Sequence, residues 1–418
     1  MLLVSGRAHR VAQRQFRPRA LLVQSSSNPD GSAFSGLLVA RAILSLGYEL
    51  HVAFRVPGPM CDRYEQIGCL VHVVPHENWL ASHSARGFVK ALLRLTRGAY
   101  LFGRLIRRLE PAFVYVNTIV STPAALAARA QRSPVILHIR ELFEEAGGEM
   151  CWPWVGGRHL VRSVVLGVAD RVVVPSHAVL ANVLGDSTAS CRLVPNAVDA
   201  RFFGMSDADR ADCRRRLGVP DDGCFIIGVP GTLRPVKGHP FFLEAAARVG
   251  ALDPGIRFVI AGEAPVSAYG DFVRSEIVRH GLGSRVYLPG SVPDMRDFYG
   301  ACDIVCVPSR SESFGRCVIE AFASGRPVVA TAVSGITEII QHEQTGLLVP
   351  YGDVNAMANT LINLRRDAAF RQQLASRARV IAVERYHECK YTRQLTGLIQ
   401  SLVTKRSSSS AIRSGHVE

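Results

Sequence analysis

Short apolar runs alternate with longer amphipathic stretches along most of the chain. From Ala20, "ALLVQSS" reads as a buried strand and "SNPDGSAFSG" as a polar turn; "LLVARAILSLG" has helical spacing closed by Gly47. "YELHVAF" then supplies a second strand, so the opening unit is strand, turn, helix, strand, the beginning of a parallel α/β sheet. "LVHVVP" (70–75), "FVYVNT" (113–118), "PVILHI" (134–139), "RVVVPS" (171–176) and "CRLVPN" (191–196) continue the alternation. A polar, turn-rich segment follows, "DARFFGMSDADRADCRRRLGVPDDG". At Cys224 the pattern starts again with "CFIIGVPG", the helix "HPFFLEAAARVG" and the strand "IRFVIAG", then "RVYLPG", "DIVCVPS", "RPVVAT" and "TGLLVP".

Both halves thus open on a strand, a glycine-bearing turn and a helix. That repetition predicts an α/β chain of two doubly wound, Rossmann-like domains facing each other across a cleft. The expected plan is a flexible basic extension over 1–19, an N-terminal domain over 20–199, an interdomain segment over 200–223 and a C-terminal domain over 224–384. A C-terminal helix over 385–404 is expected to pack back on the N-terminal domain, ahead of a disordered tail over 405–418.

Composition narrows the class. Of 418 residues, 48% are apolar and 20% charged, ordinary for a globular protein. No apolar run approaches the length of a transmembrane helix, and "MLLV" is too short for a secretory signal. Ten scattered cysteines without a CxxC pair read as reduced thiols in a cytoplasmic protein, neither a disulfide frame nor a zinc site. The net charge of +14 suits an anionic partner. No recognition motif for nucleic acid accompanies it, which leaves a membrane surface or a phosphate-bearing substrate.

The most telling stretch is "SESFGRCVIEAFASGRPVVAT" (311–331). Asp303–Pro308 reads as a strand, Ser313 as an N-cap, and the helix is expected to run to about Ser324, stopped by Gly325-Arg326-Pro327. Its N-terminus then lies at the carboxyl end of a parallel strand, where open sheets bind ligands and free N–H groups attract phosphate oxygens. Glu312 beside that position would repel an anion, so it is expected to accept hydrogen bonds from sugar hydroxyls. Glu320, further in, has the reach to take two adjacent ribose hydroxyls. The alternative is that Glu312 is solvated and Glu320 makes a local salt bridge.

"GTLRPVKGHPFF" (231–242) places Gly231, Arg234 and Lys237 in the first turn of the second half, which suits a diphosphate and a leaving group gaining negative charge. It is not a Walker loop, and an ordinary basic turn is the alternative. "SSSNPDGSAFSG" lacks GxGxxG, against a nicotinamide site, while Gly31 and Ser32 leave room for a donor to approach the backbone. "DAD" (Asp207–Asp209) is an acidic first helical turn and implies no metal. Residues 83–110 combine seven cations with apolar residues at helical spacing, which fits an anionic membrane surface, a phosphorylated acceptor or a solvated basic face. Trp152 and Trp154 add an aromatic pair with no assigned role.

Together these segments resemble the family-four group of retaining glycosyltransferases with the GT-B fold, over about residues 20–400. "PSRSESFGRCVIEAFASGRPVVAT" matches that family's glutamate–seven–glutamate motif, "VPNAVD" its interdomain "PNGVD", and "GTLRPVKG", "IAGEAP", "LPGSVPD", "ACDIVCVPS" and "AVSGITEIIQHEQTGLLVPYGD" follow in its order. "HVAFRVPGPM" and "FVYVNT" are further similar to members that build cell-surface polysaccharides. The resemblance implies a nucleoside-diphosphate-sugar donor in the C-terminal domain, a glycan or lipid-linked acceptor mainly in the N-terminal one, and neither metal nor cofactor. It implies that Glu312 contacts the donor sugar, Glu320 the ribose, and Arg234 and Lys237 the diphosphate, with the Phe314 and Gly315 amides nearby. It also implies a cytoplasmic protein held peripherally at the inner face of the membrane.

Two positions depart from the family. Thr232 stands where an arginine is usual, and Arg234 is expected to substitute. Arg140-Glu141 stands where a histidine and an acid are usual, and His138, on the same strand face, is expected to take the catalytic role. A nucleotide-sugar epimerase of the same fold and a non-catalytic nucleotide-sugar-binding protein are the rival readings. Nucleotide release with and without acceptor separates them.

Overall fold

The computed structural model describes residues 17–80, 84–143, 150–153, 155–185, 191–205, 209–220 and 222–414. Seven parallel strands form the first sheet: β1 (Arg19–Gln24), β2 (Glu49–Phe54), β3 (Leu70–Val73), β4 (Val114–Val116), β5 (Val135–His138), β6 (Arg171–Val174) and β7 (Cys191–Leu193). Six more form the second: β8 (Phe225–Pro230), β9 (Ile256–Ala261), β10 (Val286–Gly290), β11 (Ile304–Val307), β12 (Val328–Thr331) and β13 (Leu347–Val349). Every strand anticipated from an apolar run is present. The runs are short and nearly continuous because most of these strands are covered on both faces, as parallel sheets require, while the edge strands β3 and β10 are only partly buried.

The strand orders are β3-β2-β1-β4-β5-β6-β7 and β10-β9-β8-β11-β12-β13. Each order reverses once, between β1 and β4 and between β8 and β11. Outside the carboxyl ends of such a pair the connecting loops diverge to opposite faces, and a crevice opens. The glycine-bearing turn of each half leaves the first strand of its pair.

Four apolar layers clothe the two sheets. The helix Ala85–Leu109 buries Phe102, Leu105, Ile106 and Leu109 on the first sheet. It begins at Ser84, whose hydroxyl accepts from the Gly87 N–H at 3.1 Å, and ends at Glu110 in the left-handed region. The last helix, Glu388–Ser414, returns to the first sheet, where Tyr391, Leu395, Leu398, Ile399 and Leu402 share a layer with Val39 and Val52. Just before it, the Val198 N–H donates to the Tyr386 carbonyl at 2.8 Å, tying the end of the first half to the end of the second.

The tail is a correction. The backbone stays helical through Ser414, whereas disorder was expected from 405. No glycine or proline falls between Gly397 and Gly415, so a helix anchored by its packed first half propagates at little cost per residue. β1 also starts at Arg19, inside the stretch expected to be extension; Arg19 pairs with Glu49 at 3.0 Å. All ten cysteines are free thiols. Among the described residues no helix is long and apolar enough to cross a membrane.

Candidate active site

The turn after β8 is built by glycines. Gly231 has φ +121 and Gly262, after β9, has φ +150, both outside the range of ordinary side chains. A Cβ on Gly262 would lie 2.1 Å from the Gly231 carbonyl oxygen, so the two turns nest only as glycines. Thr232 to Arg234 leads into a single 3₁₀ turn, Pro235–Lys237, closed by Gly238 at φ +70. A Cβ on Gly238 would stand 2.0 Å from the Pro308 carbonyl. Its absence lets the basic turn press against the end of β11, where the Arg310 N–H donates to Val236 at 2.8 Å.

That approach brings Lys237 to Glu312: Nζ and Oε2 lie 2.6 Å apart, with both side chains mostly shielded. The two sequence motifs therefore meet across the β8/β11 switch point. Arg234 is exposed on the same turn. His239, next to Lys237, is wholly buried, and burial with the neighbouring ammonium pulls its pKa down to about 4.

The helix after β11 runs Arg316–Ala323, starting two residues later than the sequence suggests. Ser313 is not its N-cap. Gly315, at φ +100, takes that place without a side-chain bond, because the Ser313 carbonyl is turned to accept from Ser176 Oγ at 2.5 Å. In its first turn the Val318 N–H donates to the Gly315 carbonyl at 2.9 Å, while the Arg316 and Cys317 N–H groups come before the first intrahelical acceptor. Phe314 is buried against Tyr386, so only its backbone belongs to the rim.

Glu320 is 5% exposed and has its carboxylate satisfied within the chain. Arg316 Nε and Nη2 lie 2.6 Å from Oε1, and Tyr299 donates its hydroxyl to Oε2 at 2.9 Å. The local salt bridge weighed from the sequence is thus formed, with Oε2 still able to accept further bonds. Arg316 was missed; its i,i+4 spacing to Glu320 was the available signal. It also donates Nη1 to the Gly31 carbonyl at 3.0 Å and lies 5.1 Å from the Phe34 ring, so it joins the two halves. Gly31 begins its helix behind the Asp30 cap, and a Cβ there would meet nothing within 4 Å.

A second seam lies beside it. Glu338 accepts from the His177 and Ala178 N–H groups, each at 2.8 Å, and so caps the helix after β6 from the other half. The crevices at the two sheets' carboxyl edges consequently face each other.

His138, expected among the catalytic residues, is fully buried instead of facing the cleft. Its Nδ1 lies 2.8 Å from the Tyr115 hydroxyl and 3.2 Å from Arg140 Nη2, and burial with that guanidinium holds its pKa well below the usual histidine range. The strand-face argument placed it correctly, but that face is the packed one. Arg140 reaches Asn117, Asn196 and Tyr391 as well, tying β4's end, the interdomain "PNAVD" and the last helix together. Glu141 accepts the Ile119 and Arg140 N–H groups, while burial pushes its carboxyl up.

Asp207 and Trp154 lie outside the described residues. Asp209 precedes the helix Arg210–Arg216, whose Arg214 pairs with Asp303 at 3.1 Å. Among the described residues no three histidine, cysteine or acidic side chains are placed to hold a metal ion. Trp152 stacks on Phe143 at 4.2 Å.

Residues 30–197 match the family described as "Glycosyl transferase 4-like domain", and residues 224–367 the one described as "Glycosyl transferases group 1". A D-inositol 3-phosphate glycosyltransferase of Acidothermus cellulolyticus is 32% identical over 265 residues, which cover 61% of this chain and 58% of that one. The chain therefore spans less than two thirds of that relative. D-inositol 3-phosphate glycosyltransferase 1 of Catenulispora acidiphila is 28% identical over 383 residues, 84% of this chain and 87% of the relative. Among solved structures, Anabaena HepE in complex with UDP-glucose superposes with a TM-score of 0.78 at 23% identity, covering 92% of this chain and 100% of that one. At that identity the likeness shows the GT-B fold.

Proposed function

We propose that this chain moves a sugar from a nucleoside diphosphate to a glycan or lipid-linked acceptor with retention of configuration, a reading supported by the match of residues 30–197 to the glycosyl transferase 4-like domain and of residues 224–367 to the group 1 glycosyl transferases. The observation that carries this reading is the meeting of Lys237 with Glu312 at 2.6 Å over the β8/β11 switch point. A cation and a sugar-facing acid held together there fit the junction between a diphosphate and the sugar it carries.

In this reading Lys237 and Arg234 hold the diphosphate, helped by Gly231, the Gly315 N–H and the first turn of the helix Arg316–Ala323. Glu312 accepts from sugar hydroxyls and Glu320 from the ribose. The acceptor hydroxyl attacks the anomeric carbon on the face from which the diphosphate leaves. The new carbon–oxygen bond forms as the bond to phosphate breaks, and the acceptor's proton passes to the departing phosphate oxygen. Preorganised cations stabilise the charge that develops there, a task that needs neither metal nor cofactor. His138 acts as a positioning group for Arg140.

The role in surface-polysaccharide synthesis, the cytoplasmic setting and peripheral membrane contact through residues 83–110 belong to the same proposal. Support for the last comes from the helix Ala85–Leu109, where Val89, Leu92, Leu93 and Tyr100 are exposed among Arg86, Lys90, Arg97 and Arg104. UDP-glucose is the first donor to assay, since the HepE neighbour holds it. Nucleoside diphosphate release should appear with one donor of a panel and fall on the order of 10²-fold in Lys237→Ala. Release that is unchanged in that variant would remove Lys237 from the site.

A further inference from the structure

Arg171 opens β6 and Arg192 stands in the middle of β7. In the parallel register Val173 lies opposite Arg192, so Arg171, two residues before Val173, takes the same face of the sheet as a diagonal neighbour of Arg192. That face is the one the last helix covers: Val173 and Val194 share its layer with Leu395 and Leu398. Between the two arginines and the helix a cavity of about 410 Å³ stays open, within the range of about 300–1,000 Å³ that small-molecule sites occupy. Among the described residues each guanidinium uses Nη1 alone, on its preceding carbonyl: Arg171 on Asp170 at 2.8 Å and Arg192 on Cys191 at 3.0 Å. The Asp170 carboxylate is engaged elsewhere, by the Val135 N–H at 2.9 Å and by Arg129 at 3.5 Å. Neither Arg171 nor Arg192 has an ion-pair partner among the described residues, and two like charges side by side on adjacent strands repel.

The helix side of the cavity is polar and held open. Gln394, Gly397 and Ser401 stand on it, spaced by three and four residues and so on one helix face. A glycine inside a helix costs stability relative to alanine, yet a Cβ on Gly397 would meet nothing within 4 Å. No contact within the protein requires the missing side chain, and its absence keeps the mouth of the cavity clear. Ser401 donates its hydroxyl to the Leu398 carbonyl at 2.8 Å, so toward the cavity it can only accept. Gln394 adds a carbonyl and an amide. Forked cationic donors on the sheet side match a phosphoryl group, and acceptors on the helix side match the hydroxyls of the body that carries it.

We propose that this cavity is a second binding site, for a small hydroxylated phosphomonoester of the sugar-phosphate class, whose presence fastens the last helix to the first sheet. It lies on the sheet face under that helix, away from the carboxyl edges where the two crevices meet, and does not rest on the transfer reading. Both of its walls lead to Arg140. Val194 comes two residues before Asn196 and Gln394 three after Tyr391, and Arg140 donates to Asn196 at 2.5 Å and to the Tyr391 hydroxyl at 3.4 Å. An occupant therefore braces the two elements that hold Arg140.

The experiment is calorimetric titration of the full chain with glucose 6-phosphate, inorganic phosphate and glucose, with hydrogen exchange on the bound and free protein. Glucose 6-phosphate should bind on the order of 10-fold more tightly than inorganic phosphate, and glucose should not bind. Arg171→Ala with Arg192→Ala should weaken glucose 6-phosphate on the order of 10-fold or more. Gly397→Leu keeps both arginines and fills the mouth of the cavity; it should weaken binding by a similar factor while the melting temperature holds or rises, since leucine favours the helix. Melting curves of all variants establish that they fold. Bound glucose 6-phosphate should slow amide exchange over residues 394–401 in the wild type. The proposal is overturned if either variant, folded, binds glucose 6-phosphate like the wild type, or if the wild type does not bind it at millimolar concentration. Equal affinity for inorganic phosphate would make the cavity a site for a free anion and overturn the assigned class. Unchanged exchange over 394–401 in the bound protein would overturn the fastening of the last helix.

Discussion

Glu320→Gln is the perturbation whose two effects the structure separates most clearly. The carboxylate is 5% exposed and receives Arg316 on one oxygen and the Tyr299 hydroxyl on the other. A glutamine of the same shape keeps its oxygen toward Arg316 and turns its amide to donate to Tyr299. Tyr299 retains a carbonyl within reach, that of Cys317 at 3.3 Å, for its own proton. No buried polar group is orphaned, so the loss in stability is the difference between charge-assisted and neutral hydrogen bonds, about 1 kcal/mol. Two ribose hydroxyls fare worse, since the amide has one acceptor oxygen where the carboxylate has two. Losing a hydrogen bond to a charged group costs about 1.5–3 kcal/mol, or roughly ten- to a hundred-fold in affinity.

The control is Arg316→Met, which removes the local ion pair and leaves the carboxylate. It should destabilise the fold at least as much, since it also releases the Gly31 carbonyl, yet change nucleotide affinity by less than about 3-fold. Urea denaturation gives the stabilities, and calorimetry with UDP gives the affinities. If Arg316→Met weakens nucleotide binding as much as Glu320→Gln, Glu320 acts through local structure and the ribose contact is wrong.

Glu312→Gln should leave UDP affinity nearly unchanged while lowering the single-turnover rate with the sugar donor, because Glu312 is assigned to the sugar; an equal loss of UDP affinity would place it at the phosphates. Activity should survive EDTA, and Asp209→Ala should be nearly silent; abolition by EDTA with rescue by Mn²⁺ or Mg²⁺ would contradict the metal-free reading. His239 should make stability fall as pH drops. It is neutral in the fold with a pKa near 4, so below about 6.5 the unfolded chain binds the extra proton, and up to about 3 kcal/mol is lost on the way to pH 4. His239→Phe should shallow that slope in urea titrations at pH 4 to 7, and an unchanged slope would assign it to other groups.

The fold was legible because most of the strands are buried on both faces and therefore write themselves as apolar runs, and the β8 turn because its glycines are sterically compelled. The pairing of Lys237 with Glu312 was not, since it depends on Gly238 leaving room for the Pro308 carbonyl at a place 70 residues away in sequence. His138 shows the limit of periodicity: alternation fixes which face a strand residue takes, but not whether that face meets the cleft or the core. Ser313 was misread as a cap because its carbonyl answers to Ser176 in the other half, a tertiary demand outside any local rule. The helix end at Ser414 was not legible because residues 405–414 carry no apolar spacing of their own, and the helix continues there from its packed first half with no glycine or proline to stop it.

Transfer with retention at this cleft is the central claim, and the anomeric configuration of the first product formed tests it most directly. With an α-linked nucleoside-diphosphate sugar and no acceptor, water takes the acceptor's place, and the released sugar can be followed by proton NMR before it mutarotates. The account predicts that the α-anomer appears first and relaxes to the equilibrium mixture. Initial release of the β-anomer would mean attack from the face opposite the leaving group, and the geometry assigned to Lys237, Glu312 and the diphosphate would be wrong.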